Sequence, residues 1–134
     1  MKTIELNWGD PNNYFVREAF NTLRTNILFS GKSVKTILIT SCMAHEGKTT
    51  VSFEMARSLA ESNKKVLLID ADLRKSVTVS RYTKERGING LSQILSGQVG
   101  LDQSVYRTQL AGMDVIFAGP FPPHPAELVG SPPF

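Results

Sequence analysis

The segment from Thr36 to Lys75 constrains the fold more than any other part of the 134-residue sequence. It begins with Thr36-Ile37-Leu38-Ile39-Thr40, an apolar run without polar alternation, as expected of a strand buried on both faces of a parallel sheet. Ten loop residues follow, ending in Gly47-Lys48-Thr49-Thr50. A helical stretch then runs to about Ser62, with Val51, Met55 and Leu59 repeating every four residues. Val66-Leu67-Leu68-Ile69 is a second apolar run, closed by Asp70-Ala71-Asp72-Leu73-Arg74-Lys75. Strand, loop, helix and strand in this order predict a βαβ unit with parallel strands and a right-handed crossover.

The Gly-Lys-Thr step sits where a helix begins, and that position favours anions. Free N–H groups of the first turn and the helix dipole both direct positive charge outward. Gly47 lets the backbone approach a phosphate closely. Lys48 is placed to reach the β- and γ-phosphates of a nucleotide, and the Thr49 hydroxyl to ligate Mg²⁺. Glu46, Gly47, Lys48, Thr49 and Thr50 are therefore the candidate nucleotide-binding residues. The full G-x-x-x-x-G-K-[ST] pattern is not met, because Cys42 stands where its first glycine belongs.

Twenty-two residues separate Lys48 from Asp70, which is one helix plus one strand. Ligands of open α/β sheets bind beyond the carboxyl ends of the strands, so the two loops share a crevice. Asp70 and Asp72 are candidates for holding Mg²⁺ through hard oxygen ligands and for taking a proton from an attacking hydroxyl. The same carboxylates could instead serve as a helix cap and a turn residue.

Outside this segment, Phe15, Ala19, Phe20, Leu23, Ile27 and Leu28 define one face of a helix over 14–30, with Gly31 as its cap. Residues 1–13 read as a polar lead-in, Leu91–Ser96 as a short helix and Met113–Ala118 as a third strand. Residues 119–134 form a proline-rich end.

Composition excludes several classes. Fifteen basic against twelve acidic residues leave a charge of +3, and no basic run is longer than the two residues of Lys64-Lys65. A nucleic-acid binder calls for a basic stripe or an aromatic-interleaved patch, and neither is present. A single cysteine excludes an internal disulfide. His45 and His124 have no partners at zinc spacing. No run approaches the ~18 apolar residues of a membrane span, and the N-terminus lacks a signal peptide's apolar stretch.

Leu67–Ile69 followed by Asp70, Asp72 and Arg74 resembles the second nucleotide motif of the bacterial tyrosine kinases, three apolar residues and then D-x-D-x-R. Glu18–Ile27, Gly90-Leu91-Ser92 and Gly119–Leu128 are also similar to recurrent segments of that family. The resemblance runs over nearly the whole chain. It implies an α/β fold of the P-loop NTPase type, a parallel sheet flanked by helices, with residues 1–134 as the N-terminal portion of a single kinase domain. It further implies ATP and Mg²⁺ as cofactors and phosphorylation of protein tyrosine in capsular or exopolysaccharide synthesis. Lys48, Asp70 and Asp72 take the catalytic roles, and Thr49, Asp70 and Asp72 the metal.

The expected partner is a membrane adaptor with a cytoplasmic tail, holding the protein at the inner face of the membrane. A homo-oligomer would form through Glu18 and Arg24 on helix 14–30. The chain departs from the family pattern in four places. Ala44-His45 replaces Pro-Gly in the loop, and Asn21 replaces the central arginine of E-x-x-R-x-x-R, weakening the oligomer contact. The apolar strand ending in aspartate (Walker B) is not reached, so the sequence looks truncated. The C-terminal tyrosine cluster is missing, leaving Tyr14, Tyr82 and Tyr106 as packing or surface residues. Two other functions share parts of the pattern. One is a partitioning-type P-loop ATPase, whose signature lysine is Cys42 here. The other is a nucleotide- or partner-binding fragment without turnover.

Overall fold

Val66–Ile69 and Met113–Ile116 are four-residue apolar runs bounded by turn residues, a pattern that pairs more readily as strands than it coils. In the computed structural model, which describes residues 1–8, 14–30, 34–40, 48–73 and 82–120 with Glu127 and Gly130, these runs are β1 (Val66–Ile69) and β3 (Met113–Ile116). They pair in parallel, Val66 opposite Met113 and Ile69 opposite Ile116. A two-residue strand, β2 (Tyr106–Arg107), pairs antiparallel with the other side of β3 and gives the order β1-β3-β2. Three α-helices accompany the sheet among the described residues: α1 (Tyr14–Ser30), α2 (Lys48–Glu61) and α3 (Leu91–Leu95). None is long and apolar enough to cross a membrane.

β3 is the buried strand. Met113, Val115 and Phe117 join Phe53, Ala56 and Ala60 of α2 in one core, with Val66 and Leu68 of β1 against it. On the opposite face Ile116 and Ala118 pack with Leu73, Leu91 and Leu95. β1, at the sheet edge, buries only one face. Leu67 is 50% exposed and Ile69 47%, so β1 does not have the two-sided burial its apolar run suggests, whereas β3 is covered on both faces.

The parallel partner of β1 also differs from expectation. Residues 36–40 join no ladder, and Leu38 is exposed. An apolar run becomes a strand only where a neighbour accepts its hydrogen bonds; β1 pairs with β3 along one edge, and residues 36–40 do not take the other. The N–H of Asp70 donates to the carbonyl of Ile116 at 2.9 Å, which carries the pairing one step past β1.

The amino-terminal segment is structural, against the reading of a polar lead-in. Ile4 and Leu6 are each 2% exposed. The Ile4 N–H donates to the Arg107 carbonyl at 2.8 Å, and the Arg107 N–H to the Lys2 carbonyl at 3.0 Å. The Gln109 side-chain amide bonds both backbone groups of Leu6, at 2.9 and 2.7 Å. The alternation Ile4-x-Leu6-x-Trp8 is the period-2 signal that composition obscured.

α1 has the expected range, but its contact face is rotated from its most apolar one. Arg17, Phe20, Asn21, Arg24 and Ile27 are half-buried, while Phe15, Ala19 and Leu23 are exposed. Arg17 Nη2 lies 2.8 Å from Glu61 Oε2. Arg24 Nη1 donates to the Ser58 carbonyl at 3.0 Å, and the Ser58 hydroxyl donates to Asn21 Oδ1 at 2.8 Å. Residue numbers ascending along α1 thus meet numbers descending along α2, and the two helices run antiparallel. Arg57, itself buried, bonds Glu61 at 3.1 Å and lies 5.1 Å over the Trp8 ring. Burial pushes the neighbouring Glu54 carboxyl up, opposed in part by the Arg57 guanidinium.

Candidate active site

Lys48 is the first residue of α2, and Lys48, Thr49 and Thr50 make up most of its first turn, all half-buried. The Ser52 hydroxyl donates to the Lys48 carbonyl at 2.8 Å, which ties that turn to the next. The first turn therefore offers N–H groups and a cation at one place.

The carboxylates arrive from the end of β1. Beyond Ile69 the Asp70 side chain folds over the following turn, its Oδ1 accepting the Asp72 N–H at 3.0 Å. Leu73, 3% exposed, inserts between Leu91, Leu95, Ile116 and Ala118 and anchors the loop from beneath. The loop is thus held at both ends, by the β-ladder at Asp70 and by core packing at Leu73. Leu73 is a site-supporting residue whose signal in the sequence is its apolar character directly after D-x-D.

Lys48 and Asp72 meet. Lys48 Nζ lies 3.5 Å from Asp72 Oδ2, with the two side chains 38% and 31% exposed. A pair this long and this wet contributes at most about 1 kcal/mol. It holds the lysine over the loop at little energetic cost to release.

Thr49, Asp70 and Asp72 are all oxygen donors, which suits Mg²⁺ and not a soft metal. Among the described residues no group of three or more His, Cys, Asp or Glu could hold a metal ion. A Mg²⁺ ion held here by Thr49, Asp70 and Asp72 would draw the rest of its shell from water and phosphate, as that ion commonly does.

Glu46 and Gly47 lie outside the described residues, as do Cys42, His45, Arg74 and Gly31. Glu18 and Arg24, expected at an oligomer contact, part company. Glu18 is exposed, whereas Arg24 is engaged with Ser58 of α2 in the same molecule. Asn21, which stands where the family has arginine, closes that intramolecular set by accepting from both Ser58 and Arg24.

Comparison with known proteins bears directly on this geometry. The family model described as "AAA domain" matches residues 34–120. A tyrosine-protein kinase CpsD of Streptococcus agalactiae is 43% identical over 112 residues, covering 84% of this chain and 49% of that protein. Among solved structures, the kinase domain of Escherichia coli tyrosine kinase ETK superposes with a TM-score of 0.76 at 37% identity, over 84% of this chain and 45% of that one. The chimerical protein CapA2B2 superposes with a TM-score of 0.82 at 28% identity, over 98% of this chain and 61% of that one. The chain spans about half the length of the curated relatives it matches. The resemblance to bacterial tyrosine kinases and the α/β fold of P-loop type both stand on these likenesses.

Proposed function

The chain belongs to the AAA domain family, and from that premise we propose that it is the nucleotide-binding portion of an ATP- and Mg²⁺-dependent protein-tyrosine kinase. The observation that carries the proposal is the contact of Lys48 Nζ with Asp72 Oδ2 at 3.5 Å, in a chain 43% identical to a tyrosine-protein kinase. Lys48 exchanges Asp72 for the β- and γ-phosphates, with the N–H groups of Thr49 and Thr50 as further donors, and the sequence motif adds Glu46 and Gly47 to the nucleotide-binding residues. Thr49, Asp70 and Asp72 hold Mg²⁺, whose charge offsets that developing on the phosphates. Asp70 or Asp72 accepts the tyrosine proton. Catalysis of this kind is chiefly positioning and charge stabilisation, so the anchored carboxylate loop matters as much as the lysine.

By resemblance to the capsule kinases, the biological role is in capsular or exopolysaccharide synthesis at the inner face of the membrane. The partner is a membrane adaptor with a cytoplasmic tail. Any contact between copies through α1 uses Glu18 more than Arg24, since Arg24 is committed to Ser58.

Calorimetry of Mg²⁺-ATP binding, with Lys48→Ala alongside, tests the site. Micromolar binding lost in the variant is expected, and equal binding by both chains would sink the assignment. A second reading, nucleotide or partner binding without turnover, draws on the apolar segment 36–40, which joins no ladder among the described residues. ATP-dependent labelling of a tyrosine peptide that disappears in Lys48→Met excludes it.

A further inference from the structure

We infer that Ser92 is a positioning residue for nucleotide binding. Its buried, unpaired hydroxyl destabilises the resting seat of α3, and filling of the Lys48–Asp72 site relieves it through Leu73. The inference rests on the nucleotide-binding reading above and adds to it a residue outside the site.

Two buried side-chain polar atoms among the described residues have no hydrogen-bond partner, Trp8 Nε1 and Ser92 Oγ. Trp8 stands among Phe53, Tyr82 and Arg57, in the core that α2 shares with the sheet. Ser92 is 4% exposed and belongs to α3, whose Leu91 and Leu95 pack on the opposite face. Its backbone is fully used. The Ser92 N–H donates to the Ala118 carbonyl at 2.9 Å, and its carbonyl accepts the Ser96 N–H at 3.1 Å. The hydroxyl instead lies against the bare backbone of Gly119, where an added Cβ would stand 2.7 Å from Oγ. A helical serine ordinarily turns its hydroxyl to a carbonyl one turn back or to solvent. Here water is excluded and no carbonyl accepts. Such a group costs free energy while it stays buried, and in a native fold it marks stored strain.

The route from the site to Ser92 is short. The turn after β1 is closed by two bonds, from the Asp72 N–H to Asp70 Oδ1 and from the Leu73 N–H to the Ala71 carbonyl, each 3.0 Å. Leu73 follows Asp72 directly and is wedged among Leu91, Leu95, Ile116 and Ala118. It therefore fills the seam between α3 and the end of β3, and Ala118 is the residue whose carbonyl holds the Ser92 N–H. The Asp70 carboxylate that braces the turn is also a proposed metal ligand, and Asp72 must leave Lys48 for the same purpose. Turning both carboxylates to a bound Mg²⁺-nucleotide thus shifts the turn and Leu73 with it. A close-packed seam passes the displacement on. α3 then lifts from Gly119, and Ser92 Oγ gains water as a partner. The hydroxyl favours the filled arrangement over the resting one.

Calorimetry with Mg²⁺ and AMP-PNP, a non-hydrolysable ATP analogue, compares the full chain with Ser92→Ala and takes Lys48→Ala as the site control. Expected is about tenfold weaker binding by Ser92→Ala, equivalent to about 1.4 kcal/mol and within the cost of an unsatisfied buried hydroxyl. Urea melts give a readout that needs no activity. Without nucleotide the Ser92→Ala midpoint should lie about 0.5–1.4 M above wild type. At saturating nucleotide the two midpoints should converge, whereas a merely structural serine shifts both equally. Equal affinity of wild type and Ser92→Ala, with binding lost in Lys48→Ala, overturns the proposal and spares the nucleotide reading. So does an unliganded midpoint that fails to rise, or a rise that persists at saturation. If wild type itself does not bind, both readings fall together.

Discussion

Gly90 and Gly119 come from segments about thirty residues apart in the sequence, and the structure presses them together. A methyl group on Gly90 would stand 2.2 Å from the Gly119 nitrogen and 2.4 Å from its Cα, closer than any real contact. The obstacle is backbone, so no side-chain rotation relieves it. Gly90→Ala must therefore push the start of α3 away from residues 117–119. That movement strains the bonds from the Leu91 N–H to the Phe117 carbonyl (2.7 Å) and from the Ser92 N–H to the Ala118 carbonyl (2.9 Å). Overpacking of this kind costs about 1–3 kcal/mol, and each bond lost adds about 1 kcal/mol. The expected loss is about 3–5 kcal/mol, a large part of the ~5–15 kcal/mol typical of a domain. With an unfolding slope of about 1–3 kcal/mol per molar urea, the midpoint falls by about 2 M. Gly97→Ala is the matched control. Its φ is +78°, yet a methyl there meets nothing within 4 Å, so only the left-handed strain of about 1–2 kcal/mol applies. Urea melts followed by circular dichroism compare the two. If Gly90→Ala proves no less stable than Gly97→Ala, the close approach of α3 to the end of β3 is wrong.

Other outcomes follow from the same contacts. Arg24→Ala removes donors to Ser58 and Asn21 and should cost about 1 kcal/mol, since the site is only part-buried; amide exchange in α1 should quicken, and unchanged exchange would show that the helix is held elsewhere. Glu54 has a folded-state pKa above its unfolded one, so its contribution is present at acid pH and lost as pH rises through the folded value. Glu54→Gln should accordingly be neutral or stabilising near neutral pH and lose that advantage in acid, as urea midpoints at both pH values would reveal. Leu67→Lys places a charge at the half-exposed edge of β1 and should lower self-association measured by light scattering while leaving the fold intact.

Local chemistry was legible wherever neighbours in sequence are neighbours in space. β1 falls on Val66–Ile69 and α1 on Tyr14–Ser30, as periodicity indicates, because helix and strand follow from spacing and punctuation. The pairing of the Gly-Lys-Thr turn with the D-x-D loop was likewise readable, since one helix and one strand bring a chain back to the same end of a sheet. Lys48 and Asp72 do meet there.

What the sequence could not determine is which surfaces close on one another. The apolar runs at 36–40 and 66–69 look alike, yet only the second obtains a ladder, because hydrogen-bond partners are assigned by the whole sheet. Ile4 and Leu6 sit in a stretch whose polar composition hides them, and only docking against β2 makes them core. α1 turns Arg17, Asn21 and Arg24 toward α2 because Ser58 and Glu61 offer acceptors, a choice that hydrophobic periodicity cannot anticipate. Motif and element are properties of short stretches of chain. Register, burial and the contact of Gly90 with Gly119 are set by long-range packing, in which each residue's environment comes from segments distant in sequence.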